Sequence, residues 1–346
     1  MKDSKISIRE VKTEADYAPE RSFPASNFTQ GFRYGQWQEA MGRKVFRFVI
    51  READASIGYF QVVIYPLTKG KAYGYIPHGP VLARLLDTEI AAALRETLSR
   101  VGRENNLAFV RFDISPKEYA GNALGQSSPI ASYYGAYFQS KYDWVLNIGR
   151  SEKEILTDMH QKTRYSIGLA ERKGVTVKKV TGSELLEYFE TFYALLLETS
   201  IRGKFALHPK EYYRHMFQSG KIDPSIVLYV AYYEGEILAA HMVIFYGTTA
   251  FYPFGGSRRD KREVVPAYAL HWQAIRDAKE RGCTEYNFGA IDTGEAVTHE
   301  NWSGISDFKR KWGGRVVVHA DFRDLVLKPF WYYLYIGRKY LKRLLK

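Results

Sequence analysis

A short run near the end of the sequence, "GISDFKRKWGGR" (residues 304–315), combines consecutive cations with two large aromatic residues and a glycine pair. A solvated helix end would explain the charges but not the glycines, and a nucleic-acid-binding patch would explain the charges but not Phe308. Phe308 could instead anchor the helix in the core while the amine of Lys309 faces a cleft. A fixed cation of this kind stabilises the charge on the oxygen of a tetrahedral intermediate. The alternative is a surface lysine whose stem packs along the helix.

Two further residues have types and positions that suit a site. Asp113 closes the predicted buried strand "LAFVRFDI" (107–114), where the sites of open sheets tend to lie, and it could accept a proton or orient an amine. It could equally cap the turn at Ser115–Pro116. Tyr252, in "FYPFGGSRRDKR", stands beside a glycine pair and a basic run. It could form the wall of a site or belong to the core.

The sequence indicates neither a metal nor a cofactor. Its single cysteine, Cys283, excludes an internal disulfide and a cysteine-cluster zinc site, and its eight histidines lack the spacing of metal ligands. There is no G-x-G-x-x-G after a strand, no Walker loop and no G-x-S-x-G nucleophile elbow. Dinucleotide-binding, P-loop and serine-hydrolase functions are thereby disfavoured.

The charge of the chain points to an anionic partner, because the 346 residues carry a formal net charge of +12. Residues 328–346 hold six basic residues, six aromatic residues and no acid. This pattern predicts a helix packed on the protein by its aromatic face, and it is compatible with a helix that also touches an anionic membrane surface. The start of the chain lacks the apolar segment of a signal peptide, and no apolar run approaches the roughly 20 residues of a membrane span. We therefore expect a soluble, cytoplasmic protein, with peripheral contact at the inner face of the plasma membrane left open.

Strand and helix signals alternate in a similar order in both halves of the chain, which favours a duplicated α/β unit. In the first half, strands are predicted at 45–50, 56–67, 71–82 and 107–114, with a helix at 87–105. The second half begins with a strand at 143–149 and a helix over 151–174, which opens with the capping box of Ser151 and Glu154. Further helices are predicted near 183–199, 209–219 and 264–282, and strands at 175–180, within 225–256 and at 283–290.

Several segments of both halves resemble the Fem family of peptidoglycan bridge-forming aminoacyltransferases, which use aminoacyl-tRNA as donor. In the first half they are "TQGFRYGQWQEAMG" and "GYIPHGPVL"; in the second they are "HQKTRYSIGLAERKGVTV", "PAYALHWQAIRDAKERGCTEYNFGA" and "ISDFKRKWGG". The resemblance implies an α/β fold with mixed sheets, made of two tandem GNAT-like acyltransferase domains without a helical arm. The implied domains are 1–149 together with about 320–346, and 150–319.

The resemblance also implies roles for individual residues. Lys309 occupies the position of the family's catalytic lysine, and Phe308 precedes it. Gln38 and His78 stand where the family has a lysine and an arginine expected to hold substrate phosphates, so the chain departs from the pattern there. Arg202, in "ETSIRGKF", matches an arginine that would pair with the pyrophosphate of the precursor, for which a guanidinium fork is well suited.

A basic helix face supplies the expected contact with tRNA. Between Arg150 and Lys179 there are eight basic and four acidic residues, and Lys162 and Arg172 share one stripe with Arg164 beside it. The face could be merely solvated, or it could bind the phosphates of the tRNA acceptor end, which would make binding depend on salt.

The resemblance implies transfer of an amino acid from aminoacyl-tRNA to an amine on the stem peptide of a peptidoglycan precursor, either UDP-MurNAc-pentapeptide or lipid II. The ester is already activated, so positioning of the reactants can supply most of the acceleration without a cofactor. One alternative is a GNAT-type N-acyltransferase that uses acyl-CoA, although "GGSRRDKREVVPAYAL" lacks the R/Q-x-x-G-x-G/A turn expected of it. Another is a basic RNA-binding protein without catalysis.

Overall fold

The structure is a computed structural model that describes residues 6–17, 23, 26–121, 124–129, 139–295 and 302–344. The strands, in chain order, are β1 (Ile6–Val11), β2 (Val45–Glu52), β3 (Ala55–Pro66), β4 (Ala72–Ile76), β5 (Val81–Leu82), β6 (Leu107–Phe112), β7 (Gln126–Ser127), β8 (Tyr142–Asn147), β9 (Thr176–Val180), β10 (Ile226–Tyr233), β11 (Glu236–Tyr246), β12 (Thr249–Ser257), β13 (Glu285–Ala290), β14 (Arg315–Val318) and β15 (Arg323–Val326). The helices are α1 (Phe32–Ala40), α2 (Thr88–Glu104), α3 (Glu152–Asp158), α4 (Gln161–Arg172), α5 (Phe189–Gly203), α6 (Lys210–Gly220), α7 (Pro266–Glu280), α8 (Ser303–Arg310) and α9 (Pro329–Leu344).

The chain divides into two compact units. Unit 1 consists of Met1–Lys141, Gly294–His299 and Val318–Lys346, and unit 2 consists of Tyr142–Thr293 and Glu300–Val317. The chain thus leaves unit 1 after Lys141, and its last segment, which carries β15 and α9, belongs to unit 1 again. Strand β8, with which the sequence pattern of the second half begins, belongs to the sheet of unit 2.

The sheet of unit 1 is mixed. Its strands lie in the order β1-β2-β3-β4-β6-β15-β7, with β5 paired to β3, and β4 and β6 run parallel. Helix α2 begins at the cap residue Asp87, whose carboxylate accepts from the Ile90 N–H at 2.9 Å. It buries Ile90, Leu94, Leu98 and Val101, which recur every three or four residues and so form one stripe of the helix.

A buried ion pair fixes the returning segment in unit 1. Arg111 on β6 donates two hydrogen bonds of 2.8 Å to the two oxygens of Asp324 on β15, and both side chains are almost fully inaccessible. Tyr332 on α9 donates to the same carboxylate at 3.0 Å. Because a buried charge is costly without its partner, this network holds β6, β15 and α9 together.

The sheet of unit 2 is also mixed, in the order β14-β8-β13-β12-β11-β10-β9, with β12 and β13 parallel. Helix α7 covers it and buries Leu270, Trp272, Ala274, Ile275 and Ala278 in a core that also contains Trp312.

The single helix expected over 151–174 is two helices. The capping box is present: Ser151 Oγ accepts from the Glu154 N–H, and the Glu154 carboxylate accepts from the Ser151 N–H. Helix α3 nevertheless ends before Met159, whose backbone is extended (φ −70°, ψ 147°). Met159 is buried in the core, and the His160 N–H donates to the carbonyl of Lys311 at 2.9 Å. Tertiary contacts at these two residues therefore override the helical pattern of the sequence.

The strand expected over 71–82 is likewise divided into β4 and β5. The chain turns between them at His78, which has a left-handed backbone conformation (φ 51°).

Among the residues that the structure describes, no helix combines the length and apolar character needed to cross a bilayer.

Candidate active site

Lys309 lies in the last turn of α8 with its side chain buried. The residue is 8% exposed, and its Nζ donates to the carbonyl oxygen of Ala290, at the end of β13, at 2.6 Å. Burial lowers the pKa of the amine to about 8, against a smaller raising effect of the Asp143 carboxylate. Lys309 is therefore a cation near neutral pH, but one that is fixed in place and poorly hydrated. A cation in this condition interacts more strongly with a nearby developing charge than one in water does.

Aromatic packing fixes the helix that carries Lys309. The ring of Phe308 meets that of Tyr268 edge-on at 5.2 Å, and the fully buried ring of Trp312 stacks on Tyr268 at 5.7 Å. The glycine pair that follows allows the chain to approach β8. A Cβ at Gly314, where φ is 105°, would lie 2.5 Å from the carbonyl oxygen of Val145. The whole motif thus serves to hold α8 against the sheet.

Helix α8 also clamps the residues that follow β13. Ser306 Oγ accepts from the Asp292 N–H at 2.7 Å, and the Arg310 guanidinium donates to the Asp292 carbonyl. With the bond from Lys309 to Ala290, three side chains of one helix hold the same segment. The position of the Lys309 amine is set by this clamp together with the packing of Phe308.

Tyr252 on β12 lies in a cluster of neutral polar rings. Its ring centroid is 4.7 Å from that of His241 and 4.6 Å from that of His271. Burial raises the pKa of Tyr252 above its usual value and lowers the pKa of His241 to about 3. Desolvation, with smaller effects from His241 and Lys309, puts the pKa of His271 well below its usual range. The cluster therefore offers hydrogen-bonding groups without charge close to Lys309.

The same cluster brings residues that were predicted from the sequence together with two histidines that were not. The rings of His271 and Phe308 are 5.6 Å apart, so Tyr252, Phe308 and Lys309 share one region of unit 2. Sequence reasoning missed His241 and His271, because only the packing of α7 against β11 and β12 brings their rings to Tyr252. No group of three or more metal-ligating side chains occurs among the described residues.

Asp113 lies in unit 1, directly after β6, and is 2% exposed. Its two oxygens accept from the Tyr75 hydroxyl and from the His78 N–H, each at 2.7 Å, rather than from the turn at Ser115–Pro116. The capping role that the sequence left open is therefore replaced by contacts with the residues around β4. Burial raises the pKa of the carboxyl to about 6, although both hydrogen bonds oppose this effect.

His78 belongs to the same region of unit 1. Its ring lies 4.1 Å from that of His319, and His319 Nδ1 is 2.7 Å from Ser115 Oγ. Tyr75 and His319 were not found from the sequence. His319 is separated from Asp113 by most of the chain, and only the return of the C-terminal segment to unit 1 brings it there.

Gln38 is fully buried on α1, where the resemblance placed a substrate-binding residue. Its Oε1 accepts from the guanidinium of Arg43, whose centre lies 4.6 Å from the ring centroid of Tyr65. A cation therefore lies next to position 38 although the residue itself is neutral.

Arg202 lies in the last turn of α5, in unit 2, and its guanidinium is already occupied. It donates to the Ser257 carbonyl and to Thr199 Oγ1, both at 3.2 Å, and lies 3.5 Å from the Glu198 carboxylate. These contacts attach α5 to the end of β12, the strand that carries Tyr252.

The three cations proposed to bind tRNA are all exposed on α4 but are not equivalent. Arg164 donates to the carbonyls of Leu156 and Met159 and so closes the C-terminal end of α3. Arg172 lies with its guanidinium 5.6 Å from the ring centroid of Tyr165. Lys162 and Arg172 are thus the members whose charge is directed to solvent, whereas Arg164 has a structural role.

Comparison with known proteins relates the chain to acyltransferases. Residues 159–310 match the family described as an acetyltransferase (GNAT) domain. A lipid II:glycine glycyltransferase of Staphylococcus epidermidis is 23% identical over 57% of the chain, and one of Staphylococcus aureus is 22% identical over 57%. The aligned part is 61% and 62% of the length of those two proteins.

A solved structure shares the fold over nearly all of the chain. The crystal structure of FemX superposes with a TM-score of 0.81 at 16% identity, covering 95% of this chain and 99% of the other. The expected mixed α/β fold of two GNAT-like units is confirmed, and the longest described helix, α2 with 17 residues, leaves the described chain without a helical arm. The resemblance to the Fem family is confirmed as well.

Proposed function

We propose that this chain, as a relative of the Fem family, transfers an amino acid from aminoacyl-tRNA to an amine on the stem peptide of a peptidoglycan precursor. The buried, fixed amine of Lys309 is the observation that supports it most directly, because the rest of its helix is organised to hold that amine in place. The names of the staphylococcal relatives favour the lipid-linked precursor over UDP-MurNAc-pentapeptide. A lipid-linked acceptor would bring the protein to the inner face of the plasma membrane.

In the proposed reaction the acceptor amine attacks the carbonyl carbon of the aminoacyl ester. A C–N bond forms, the C–O bond to the ribose of the tRNA breaks, and the proton lost by the amine ends on the released ribose hydroxyl. Lys309 stabilises the negative charge on the tetrahedral oxygen, as a preorganised donor does in other acyl transfers. Tyr252, as a neutral hydroxyl in the same region of unit 2, donates a hydrogen bond to the substrate.

Residues of unit 1 have the role of binding the acceptor. Asp113 orients the attacking amine or accepts its proton, for which a pKa of about 6 is suitable because the carboxylate is ionised at neutral pH and still basic. Gln38 and His78 bind polar groups of the precursor, and Arg202 of unit 2 contacts its pyrophosphate. The exposed cations of α4 bind phosphates of the tRNA.

The acyl-CoA alternative is less well supported by the segment before α7. Arg258 pairs there with Asp260 and Glu236, and Lys261 pairs with Glu234 at 2.9 Å. A coenzyme pyrophosphate would have to compete with these carboxylates, and the segment also lacks the R/Q-x-x-G-x-G/A turn expected to hold it.

The function is tested by incubating the purified protein with individual charged tRNAs and a stem-peptide precursor, in lipid-linked and nucleotide-linked forms, and measuring the mass of the product. We expect transfer for at least one tRNA, and replacement of Lys309 by Met to lower the turnover by about 10²–10³-fold. Lys311→Met is the matched control, since it removes a cation two residues away and should leave turnover close to that of the wild type.

The possible outcomes separate the three functions. Near-normal turnover of the Lys309→Met protein would contradict the oxyanion role. Turnover of acyl-CoA with no transfer from any charged tRNA would establish the acyl-CoA alternative. Tight binding of tRNA without product from any donor would support the third function, an RNA-binding protein without catalysis.

A further inference from the structure

The C-terminal helix α9 has two apolar faces, of which only one is covered. Tyr332 and Ile336 are buried and pack with Tyr73 and Phe109 of the sheet of unit 1. The opposite side of the helix carries a second stripe at a spacing of three, four and seven residues. Its members remain exposed: Phe330 at 71%, Tyr333 at 58%, Leu334 at 38% and Leu341 at 59%.

A solvent-facing stripe of this kind is unusual on a helix that already packs by its other side. A surface helix of a globular protein normally places charged and polar residues opposite its core-facing stripe. Contiguous apolar residues rimmed by polar ones mark interaction sites. The exposed stripe of α9 therefore indicates a partner that takes apolar side chains.

Every charged residue of the C-terminal segment is basic. Residues 328–346 contain six basic residues and no acid. The neighbouring turn between β3 and β4 adds two further cations, exposed Lys69 and half-buried Lys71, and the Lys71 amine lies 5.5 Å from the ring centroid of Trp331. Arg338 lines a small cleft with Trp331 and Leu334, so it lies at the edge of the apolar stripe.

The exposed apolar stripe and the neighbouring cations together indicate the chemistry of the partner. A nucleic acid would satisfy the cations but not the exposed Phe330, Leu334 and Leu341. An apolar protein groove would satisfy the stripe but not the cations of this segment and the neighbouring turn. An anionic lipid surface satisfies both, because its headgroups attract the cations while the boundary with the acyl chains receives the apolar side chains.

We propose that α9 and the turn at 68–71 form a docking surface for anionic lipid. The helix lies flat, with Phe330, Tyr333, Leu334 and Leu341 inserted at the headgroup boundary and Lys69 and Arg338 among the headgroups. The buried face, with Tyr332 in contact with Asp324, keeps the helix attached to unit 1. The surface acts without tRNA or precursor, so it does not depend on the transfer reaction.

The test is sedimentation of the full chain with vesicles that contain no precursor. We expect binding to vesicles of equimolar phosphatidylglycerol and phosphatidylcholine, weakened by salt, and little binding to phosphatidylcholine alone. The double variant Phe330→Ser with Leu341→Ser should lose affinity by about tenfold or more, since it removes two inserted side chains. Lys69→Gln with Arg338→Gln should reduce mainly the salt-sensitive part of the binding.

The matched control is Leu85→Ser with Ile222→Ser, which removes apolar side chains that are 59% and 66% exposed elsewhere on the protein. It should bind vesicles like the wild type, and circular dichroism with the single variant Leu341→Ser checks that α9 stays folded. Equal binding of the Phe330/Leu341 variant and the wild type would overturn the proposal. If the Phe330/Leu341 variant lost affinity for tRNA but bound vesicles like the wild type, the exposed stripe of α9 would be a nucleic-acid-binding surface instead.

Discussion

At the scale of single residues, both proposed catalytic side chains have pKa values that burial has shifted away from those of an exposed side chain. Burial lowers the pKa of Lys309 and raises that of Asp113, so each group is closer to neutral pH than usual. In both cases the charged form is the one that loses hydration. Strongly perturbed groups of this kind are concentrated at functional sites, although structural networks also produce them.

Asp113 gives the clearest consequence for stability. Its pKa is about 6 in the folded protein and about 3.9 in an unfolded chain, so between these values the folded state binds more protons. The contribution of Asp113 to the free energy of unfolding therefore falls as the pH rises through this window and stays lower above it. Two pKa units correspond to about 3 kcal/mol of destabilisation by the ionised carboxylate at pH 7.

We therefore expect Asp113→Asn to leave the protein equally stable or up to about 3 kcal/mol more stable at pH 7, while turnover falls. The amide can still accept from the His78 N–H or the Tyr75 hydroxyl, so the fold is kept. Urea unfolding at pH 5 and pH 7, with the pH profile of kcat/KM, measures both effects. In the wild type kcat/KM should fall as the pH drops through about 6.

The control for this experiment is Asp54→Asn, which changes an exposed carboxylate and should alter neither quantity. An Asp113→Asn protein that is much less stable at pH 7 but fully active would show that the carboxylate is structural.

The site could be predicted from sequence only in part. Lys309 and Asp113 could be proposed because local patterns mark them, an aromatic neighbour in one case and a strand end in the other, and their roles stay predictions. Tyr75, His241, His271 and His319 were not found, because their contacts depend on strand register and on the return of the chain to unit 1. Arg164 was assigned to tRNA from its helical position, whereas its guanidinium closes the preceding helix.

At the scale of elements, the glycine pair after α8 shows how backbone geometry positions a side chain. Gly313 and Gly314 both have positive φ, 78° and 105°, which disfavours other residues. Trp144 Nε1 donates to the Gly313 carbonyl at 2.6 Å, which fixes the turn against β8. Displacement of this turn would move α8 and with it Lys309.

We expect Gly314→Ala to lower the free energy of unfolding by about 2–4 kcal/mol, because its Cβ would lie 2.5 Å from the Val145 carbonyl oxygen. Gly304→Ala, at the start of α8, is the matched control. It has no heavy atom within 4 Å of the added Cβ, and the change should be neutral or stabilising by about 0.5–1 kcal/mol. Urea unfolding of both proteins measures the difference; similar effects of the two changes would show that the close approach at Gly314 is not a constraint.

Element types were predicted well where the pattern was long and regular. Helix α2 and strands β10 to β12 follow the sequence signals closely, because each buries a periodic set of apolar residues. The break between α3 and α4 was not predicted, since neither glycine nor proline marks it. It results from burial of Met159 and a hydrogen bond from His160 to Lys311, which only the folded chain provides.

At the scale of the whole molecule, the excess of positive charge is distributed over distinct surfaces with different chemistry. Several large apolar side chains are exposed on α9, whereas α4, which carries Lys162 and Arg172, exposes a single large aromatic side chain, Tyr165. This difference is why we assign the first surface to lipid and the second to tRNA.

The assignment of α4 leads to a prediction about salt. Each phosphate contact releases counterions, so the logarithm of the tRNA affinity should fall linearly with the logarithm of the salt concentration. Removing two contacts with Lys162→Gln and Arg172→Gln should make the slope shallower by about 1.4–1.8, since each contact contributes roughly 0.7–0.9. Fluorescence anisotropy with labelled tRNA over a range of salt concentrations measures the slope.

Lys44→Gln with Arg95→Gln removes the same charge from exposed positions of unit 1 and should lower the affinity slightly with the slope nearly unchanged. If the two double variants had the same slope, only the net charge would attract tRNA, and α4 would be an ordinary solvated helix.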